Sequence, residues 1–198
     1  MNAMEVAIRA INWMLITDAL RKRDFAVSGE VDVNIRKHIE YIFNHLEHKE
    51  GLANNHYLAN LLGLLFGLIY FPEWEKLQEK ADWILEEFES EVEKQFKTDG
   101  GNFEGSMYYH KLSTEILILG TACATYYYDS VRIGKLSEYT ARALAFIEEV
   151  IKPNGQMPNF GDNDSGSILS FSPQGSWLER TDALNRYHHR AAYTAYHE

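Results

Sequence analysis

The stretch His56–Tyr70 constrains the fold more than any other part of the chain. Leu58, Leu61, Leu62, Leu64, Leu65, Phe66, Leu68 and Ile69 give it an apolar surface nearly all round. A helix of this kind, with Asn54 and Asn55 ahead of it as N-cap residues, is stable only inside a larger assembly that encloses it. No uninterrupted apolar run in the chain approaches the roughly 20 residues of a membrane-spanning helix, so the cover has to be protein. The flanking sequence supplies it as further helices. Val6, Ala7, Ala10, Ile11, Trp13, Met14 and Leu15 recur at three-to-four spacing over residues 3–21. Val31, Ile35, Ile39, Ile42, Phe43 and Leu46 do so over 31–48, with Ser28-Gly29 as the break between the two runs.

Beyond the apolar helix, Pro72 is placed to open a fourth helix that carries Trp74, Leu77, Ala81, Ile84, Leu85, Phe88 and Val92 and runs to Lys97. Asp99-Gly100-Gly101-Asn102 reads as a loop, followed by helices over 106–128 and 136–151, the second stopped by Pro153-Asn154-Gly155. No run of alternating residues reads as a strand, so the class is all-α. Helix pairs begin near residues 3, 55 and 105, with no sequence repeat behind the spacing. Successive hairpins with one very apolar member predict an incomplete α/α toroid of antiparallel helical hairpins. On this reading 1–152 form the toroid segment, 153–176 a Gly/Asp/Asn-rich loop and 177–198 a terminal helix.

Charge and cysteine usage narrow the function. The 198 residues hold 19 Lys and Arg against 29 Asp and Glu, a net charge of −10. That lacks the basic footprint of a nucleic-acid binder and of a polybasic membrane-associating segment. An anionic ligand has to be held by a local pocket against the field of the whole molecule. The single cysteine, Cys123, sits in an apolar run and reads as a small buried residue; no disulfide or cysteine-based zinc site can form within the chain. Residues 1–20 lack a basic segment followed by an unbroken apolar core, because Glu5, Arg9 and Asp18 interrupt them, so no signal peptide is read there.

Three polar clusters interrupt this apolar background. Asn54-Asn55-His56-Tyr57 opens the most hydrophobic helix; it is either a plain cap or a set of amide and imidazole donors at a positive helix end, suited to a carboxylate. In the run from Asp99 to His110, Glu104, Ser106, Tyr109 and His110, with Ser113 beyond, crowd polar groups onto two turns of one helix, which a core helix normally avoids. Asn159-Phe160-Gly161-Asp162-Asn163-Asp164-Ser165-Gly166 looks like half a calcium loop but has no register that fits an EF-hand; otherwise it is a tight Asx-rich loop. His45 and His48 lie one turn apart without a visible third metal ligand, and His188-His189 have the same weakness.

Taken together, the strings MEVAIRAINW (Met4–Trp13), NNHYLANLLGLLF (Asn54–Phe66), DGGNFEGSMYYHKLSTE (Asp99–Glu115) and GDNDSG (Gly161–Gly166) resemble the heparinase II/III-like polysaccharide lyases, alginate lyases on the same toroid included. The resemblance implies an α/α toroid followed by a β-sandwich, with a uronic-acid-containing polysaccharide in the cleft between them. The chain resembles only part of the toroid, so a C-terminal β-sandwich or self-association through exposed apolar helix faces is an implied partner. It departs from the family at Ser167, where an arginine is usual.

By the same resemblance the reaction is β-elimination, needing no metal or organic cofactor. Donors at the uronate carboxylate let charge spread into it as the C5 proton leaves, and an acid protonates the departing O4. Asn55 with His56 neutralises the carboxylate, and Tyr109 is base, acid or both. Glu104, His110, Asn54, Asp162 and Asp164 are placed against the sugar, His110 and Glu104 also as groups that orient the tyrosine. Two other readings remain: a glycoside hydrolase pairing Glu104 with Asp162 or Asp164, and a non-catalytic carbohydrate-binding or assembly fragment.

Overall fold

The computed structural model describes residues 2–48, 53–163 and 166–169. The expected terminal helix over 177–198 lies outside the described residues. Among the described residues the regular structure is seven helices and one isolated bridge between Phe96 and Asn102, so the all-α class holds. The helices are α1 (Ala3–Arg21), α2 (Gly29–Asn44), α3 (Asn55–Tyr70), α4 (Glu75–Gln78), α5 (Ala81–Gln95), α6 (Met107–Ala124) and α7 (Ser130–Val150). None of them is long and apolar enough to cross a membrane. The chain divides into two compact units, Met1–Phe88 and Glu89–Glu198.

In the first unit α1, α2 and α3 pack on one another. Each starts at a side-chain cap: Asn2 accepts from the Met4 amide, Ser28 from Glu30 and Asn54 from His56, satisfying donors the first turn leaves open. Pairings such as Trp13 with His38 and Arg21 with Asp32 run in opposite senses along α1 and α2 and make an antiparallel hairpin. The apolar α3 is enclosed as its composition demands, with Leu58, Leu61, Leu62, Leu64, Leu65 and Leu68 fully buried. Gly63 permits this: a Cβ there would lie 2.9 Å from the Ala7 Cβ, so α1 and α3 approach as they do only because the position lacks a side chain. At the far end of the helices, Arg21 forks onto Asp32 while the Tyr70 hydroxyl donates to the same carboxylate at 2.8 Å. The guanidinium holds the Asp32 carboxyl below its usual range, and burial beside that carboxylate raises the Tyr70 phenol to about 12.

Several helix boundaries differ from the sequence expectation. The fourth helix does not start at Pro72 and does not run unbroken to Lys97; it splits into α4 and α5 at Glu79–Lys80. Gln78 turns its amide back to donate to the carbonyls of Leu68 (2.8 Å) and Phe71 (3.2 Å), meeting acceptors that the end of α3 leaves open. The second helix stops at Asn44 rather than 48 because the following residues are drawn to the mouth of α3, where the Glu47 amide donates to Asn60 Oδ1 at 2.8 Å.

In the second unit α6 packs on α7. His110, early in α6, bonds to Ala143, and Thr121, late in α6, meets Thr140, so the two helices run antiparallel. The α7 helix begins six residues ahead of the expected 136 because Asp129 caps it, accepting from the Val131 and Arg132 amides. Cys123 is buried, and burial pushes its thiol up to about 12, as suits an inert core residue.

Candidate active site

Two helix mouths carry the predicted site residues, one in each unit. At the mouth of α3, Asn54 caps the helix, Asn55 is buried at 4% exposure and His56 is half-buried. The central group is Glu47. Its carboxylate accepts from the Met4 amide at 2.9 Å, contacts His56 Nδ1 at 3.0 Å and accepts from Asn60 Nδ2 at 3.4 Å. Asn2 Nδ2 also comes within 3.4 Å of His56 Nδ1. One ring nitrogen cannot both accept from Asn2 and donate to Glu47. The shorter contact to a carboxylate is the stronger, so the proton sits on Nδ1 and Nε2 is left for a ligand. A carboxylate that fixes tautomer and ring direction in this way makes a histidine usable in chemistry.

The mouth of α6 is built differently. Ser106 caps the helix by accepting from the Tyr109 amide at 3.2 Å, and its hydroxyl donates to the Asp162 carbonyl at 2.6 Å. The Met107 amide donates to the Phe160 carbonyl at 3.0 Å. The aspartate loop is therefore stitched to the turn that carries Tyr109, and Ser106 links the two. Tyr109 is half-buried, Asp162 is exposed, and Glu104 is half-buried with its amide on Asn102 Oδ1 at 3.0 Å. Asp164 lies outside the described residues.

His110 is 1% exposed, and both ring nitrogens are taken by backbone: Nδ1 accepts from the Asn102 amide at 3.2 Å and Nε2 donates to the Ala143 carbonyl at 3.1 Å. Burial pushes its pKa down to about 4, so the ring is neutral near pH 7. It joins the Gly-rich loop, α6 and α7, and that bonding suits it to hold the tyrosine's turn rather than to reach a sugar.

The other histidines of the first unit are engaged locally. His45 stacks on Tyr41 with its Nδ1 on the Tyr41 carbonyl at 2.8 Å, and His48 sets its ring edge to Tyr57 at 5.0 Å. Among the described residues no three His, Cys, Asp or Glu side chains gather as a metal site.

Sequence reasoning missed Glu47, Asn60 and, in the second unit, Lys111 and Glu115. The last two are charged residues one helical turn apart, buried at 3% and 0% on a largely apolar helix. Their signal was present in the letters: two charges at i and i+4 on a helix that is otherwise core call for partners.

A family model described as the heparinase II/III N-terminus matches residues 23–176, most of the chain and both helix mouths. No curated protein and no solved structure matches it. The helical architecture and this match define a polysaccharide lyase-related domain. The chain belongs to the heparinase II/III N-terminal family. The match starts after the Met4–Trp13 string and extends past Ser167.

Proposed function

We propose that the chain is a lyase domain that cleaves a uronic-acid-containing polysaccharide by β-elimination. The observation that carries this reading is the mouth of α3, where a carboxylate orients His56 beside Asn55. Asn55 and His56 meet the uronate carboxylate: the amide donates a hydrogen bond, and a second proton on the imidazole makes a cation balanced by Glu47. Neutralised in this way, the carboxylate takes up the charge left when the C5 proton departs, which is the transition-state stabilisation the reaction depends on.

Tyr109 removes that proton and returns one to the leaving O4. A phenol with an ordinary pKa near 10 needs a donor-rich or cationic neighbourhood for this work. His110, neutral and bonded to backbone, does not provide the positive charge. Glu104 and Asp162 contact neighbouring hydroxyls. The chain's net charge of −10 works against a polyanion, so affinity has to come from these local donors and falls little with added salt.

The test is a screen of alginate, heparan-type and other uronate polymers for the ultraviolet absorbance of an unsaturated uronate. Tyr109→Phe is expected to lower the rate by a factor of about 10² to 10⁴, the span of a lost general acid–base group. New reducing ends without absorbance would instead favour the hydrolase with Glu104 and Asp162. Binding without turnover would favour the non-catalytic fragment.

A further inference from the structure

We propose that Glu115 is a positioning residue for the site, its buried carboxylate clasping the backbone of Ile168 and Leu169 and so fixing where Asp162 lies beside the mouth of α6. The side chain leaves α6 with no exposure at all. Its Oε2 accepts from the Ile168 amide and its Oε1 from the Leu169 amide, both at 3.0 Å. The Ser167 hydroxyl stands within 3.2 Å of Oε2 and 3.4 Å of Oε1. A carboxylate buried this far is tolerated only when hydrogen-bond donors surround it, and most of those donors belong to a chain segment more than fifty residues downstream.

The clasp is one of two attachments. Ahead of it in sequence, Phe160 and Asp162 are tied by their carbonyls to Met107 and Ser106. The second attachment is at Glu115, eight residues further along α6 than Met107, or about 12 Å of helix rise. Asp162 hangs from the upstream attachment on the same hydroxyl that caps the Tyr109 turn. Ile168 is itself fully buried, so the clasp also seats an apolar anchor. Glu115 acts through the loop backbone that it holds.

The role in sugar binding rests on the lyase reading; the clasp does not. Glu115→Gln keeps the shape of the side chain but replaces one acceptor oxygen by an NH2 that faces an amide donor. Loss of one charge-assisted bond is expected to speed hydrogen exchange at Ile168 and Leu169 by about tenfold or more. Amides in the middle of α6, such as Leu117, should exchange as before. In the elimination assay KM is expected to rise about tenfold with kcat within a factor of about two. A substitution that merely lowered the folded fraction would reduce the apparent kcat and leave KM alone.

Unchanged exchange at Ile168 and Leu169 would overturn the clasp, and faster exchange with unchanged KM would overturn the positioning role. Should Glu115→Gln fail to fold, Ser167→Ala removes one donor and keeps the carboxylate; faster exchange confined to 167–169 with a smaller rise in KM supports the proposal, and neither change refutes it. If the unaltered chain shows no elimination on any uronate polymer, the lyase reading fails while the exchange measurement still decides the clasp.

Discussion

The mouths of α3 and α6 begin alike and end differently. Both open with a small polar cap, Asn54 or Ser106, and both place a histidine in the first turns. Around His56 the partners are side chains from distant segments, Asn2 ahead of α1 and Glu47 after α2, and Glu47 is held in turn by Asn60 within α3. Around His110 the partners are the backbone of Asn102 and Ala143. A backbone partner is an amide or carbonyl of fixed role, so it uses up a ring nitrogen. A carboxylate partner instead directs the ring and leaves its second nitrogen for a ligand. The same residue type is therefore a candidate for chemistry in one unit and a structural rivet in the other.

The largest effect expected from this contrast is at Gly100, beside the loop that His110 holds. Its φ is +88°, a conformation side chains rarely adopt, and an added Cβ would sit 2.2 Å from the Arg142 carbonyl oxygen. Both the backbone strain and the clash oppose a methyl group, so Gly100→Ala is expected to destabilise the fold by about 3 kcal/mol or more. Urea unfolding would measure this as a lower midpoint at unchanged slope. A loss below about 1 kcal/mol would mean that the loop yields easily, and the rigid half of the contrast would be lost.

His110 itself supplies the next. Its folded pKa is about 4 against an ordinary value of 6.5. Between those values the unfolded chain binds a proton that the native state refuses, so stability must fall as pH drops through that window. The loss should reach on the order of 2 kcal/mol by about pH 4.5, largely before the lowered Asp32 carboxyl begins to titrate. His110→Gln, less stable overall, should lose most of this pH dependence between about pH 6.5 and 4.5. A slope that survives the substitution would assign it to other groups and leave His110 unlocked.

How far the sequence carried these distinctions depends on the range of the interactions. The helices were legible because apolar spacing is local: α1 runs over Ala3–Arg21 as Val6, Ala10 and Met14 require, and α3 is enclosed as its leucines demand. The caps Asn54 and Ser106 were legible for the same reason. Glu47 was not, because nothing within a few residues of it distinguishes a carboxylate in solvent from one that bonds to Met4 and His56. Glu115 differs: its apolar surroundings on α6 mark it as a buried charge, but its partners Ser167, Ile168 and Leu169 lie more than fifty residues away and only the fold names them. His110 and His56 are the same letter beside similar neighbours, and only the fold assigns backbone to one and a carboxylate to the other.

The smallest effect on stability, and the sharpest probe of the contrast, is expected from Glu47→Gln. The amide retains an oxygen that can accept from the Met4 amide, and Glu47 is only partly buried, so the fold should lose about 1 kcal/mol or less. Its nitrogen now faces His56 Nδ1 as a donor, which obliges that ring atom to accept and sends the imidazole proton to Nε2. The substitution thus reverses the tautomer with little change in packing. Nitrogen chemical shifts of the His56 ring should report the exchange of roles between Nδ1 and Nε2, while those of His110, held by backbone, stay where they are. With the balancing carboxylate gone, the ring loses the anion that offsets its second proton, and elimination should slow by about 10 to 100 times as that electrostatic contribution is lost. An unchanged His56 tautomer would mean that Glu47 does not direct the ring, and the two mouths would then differ in exposure alone.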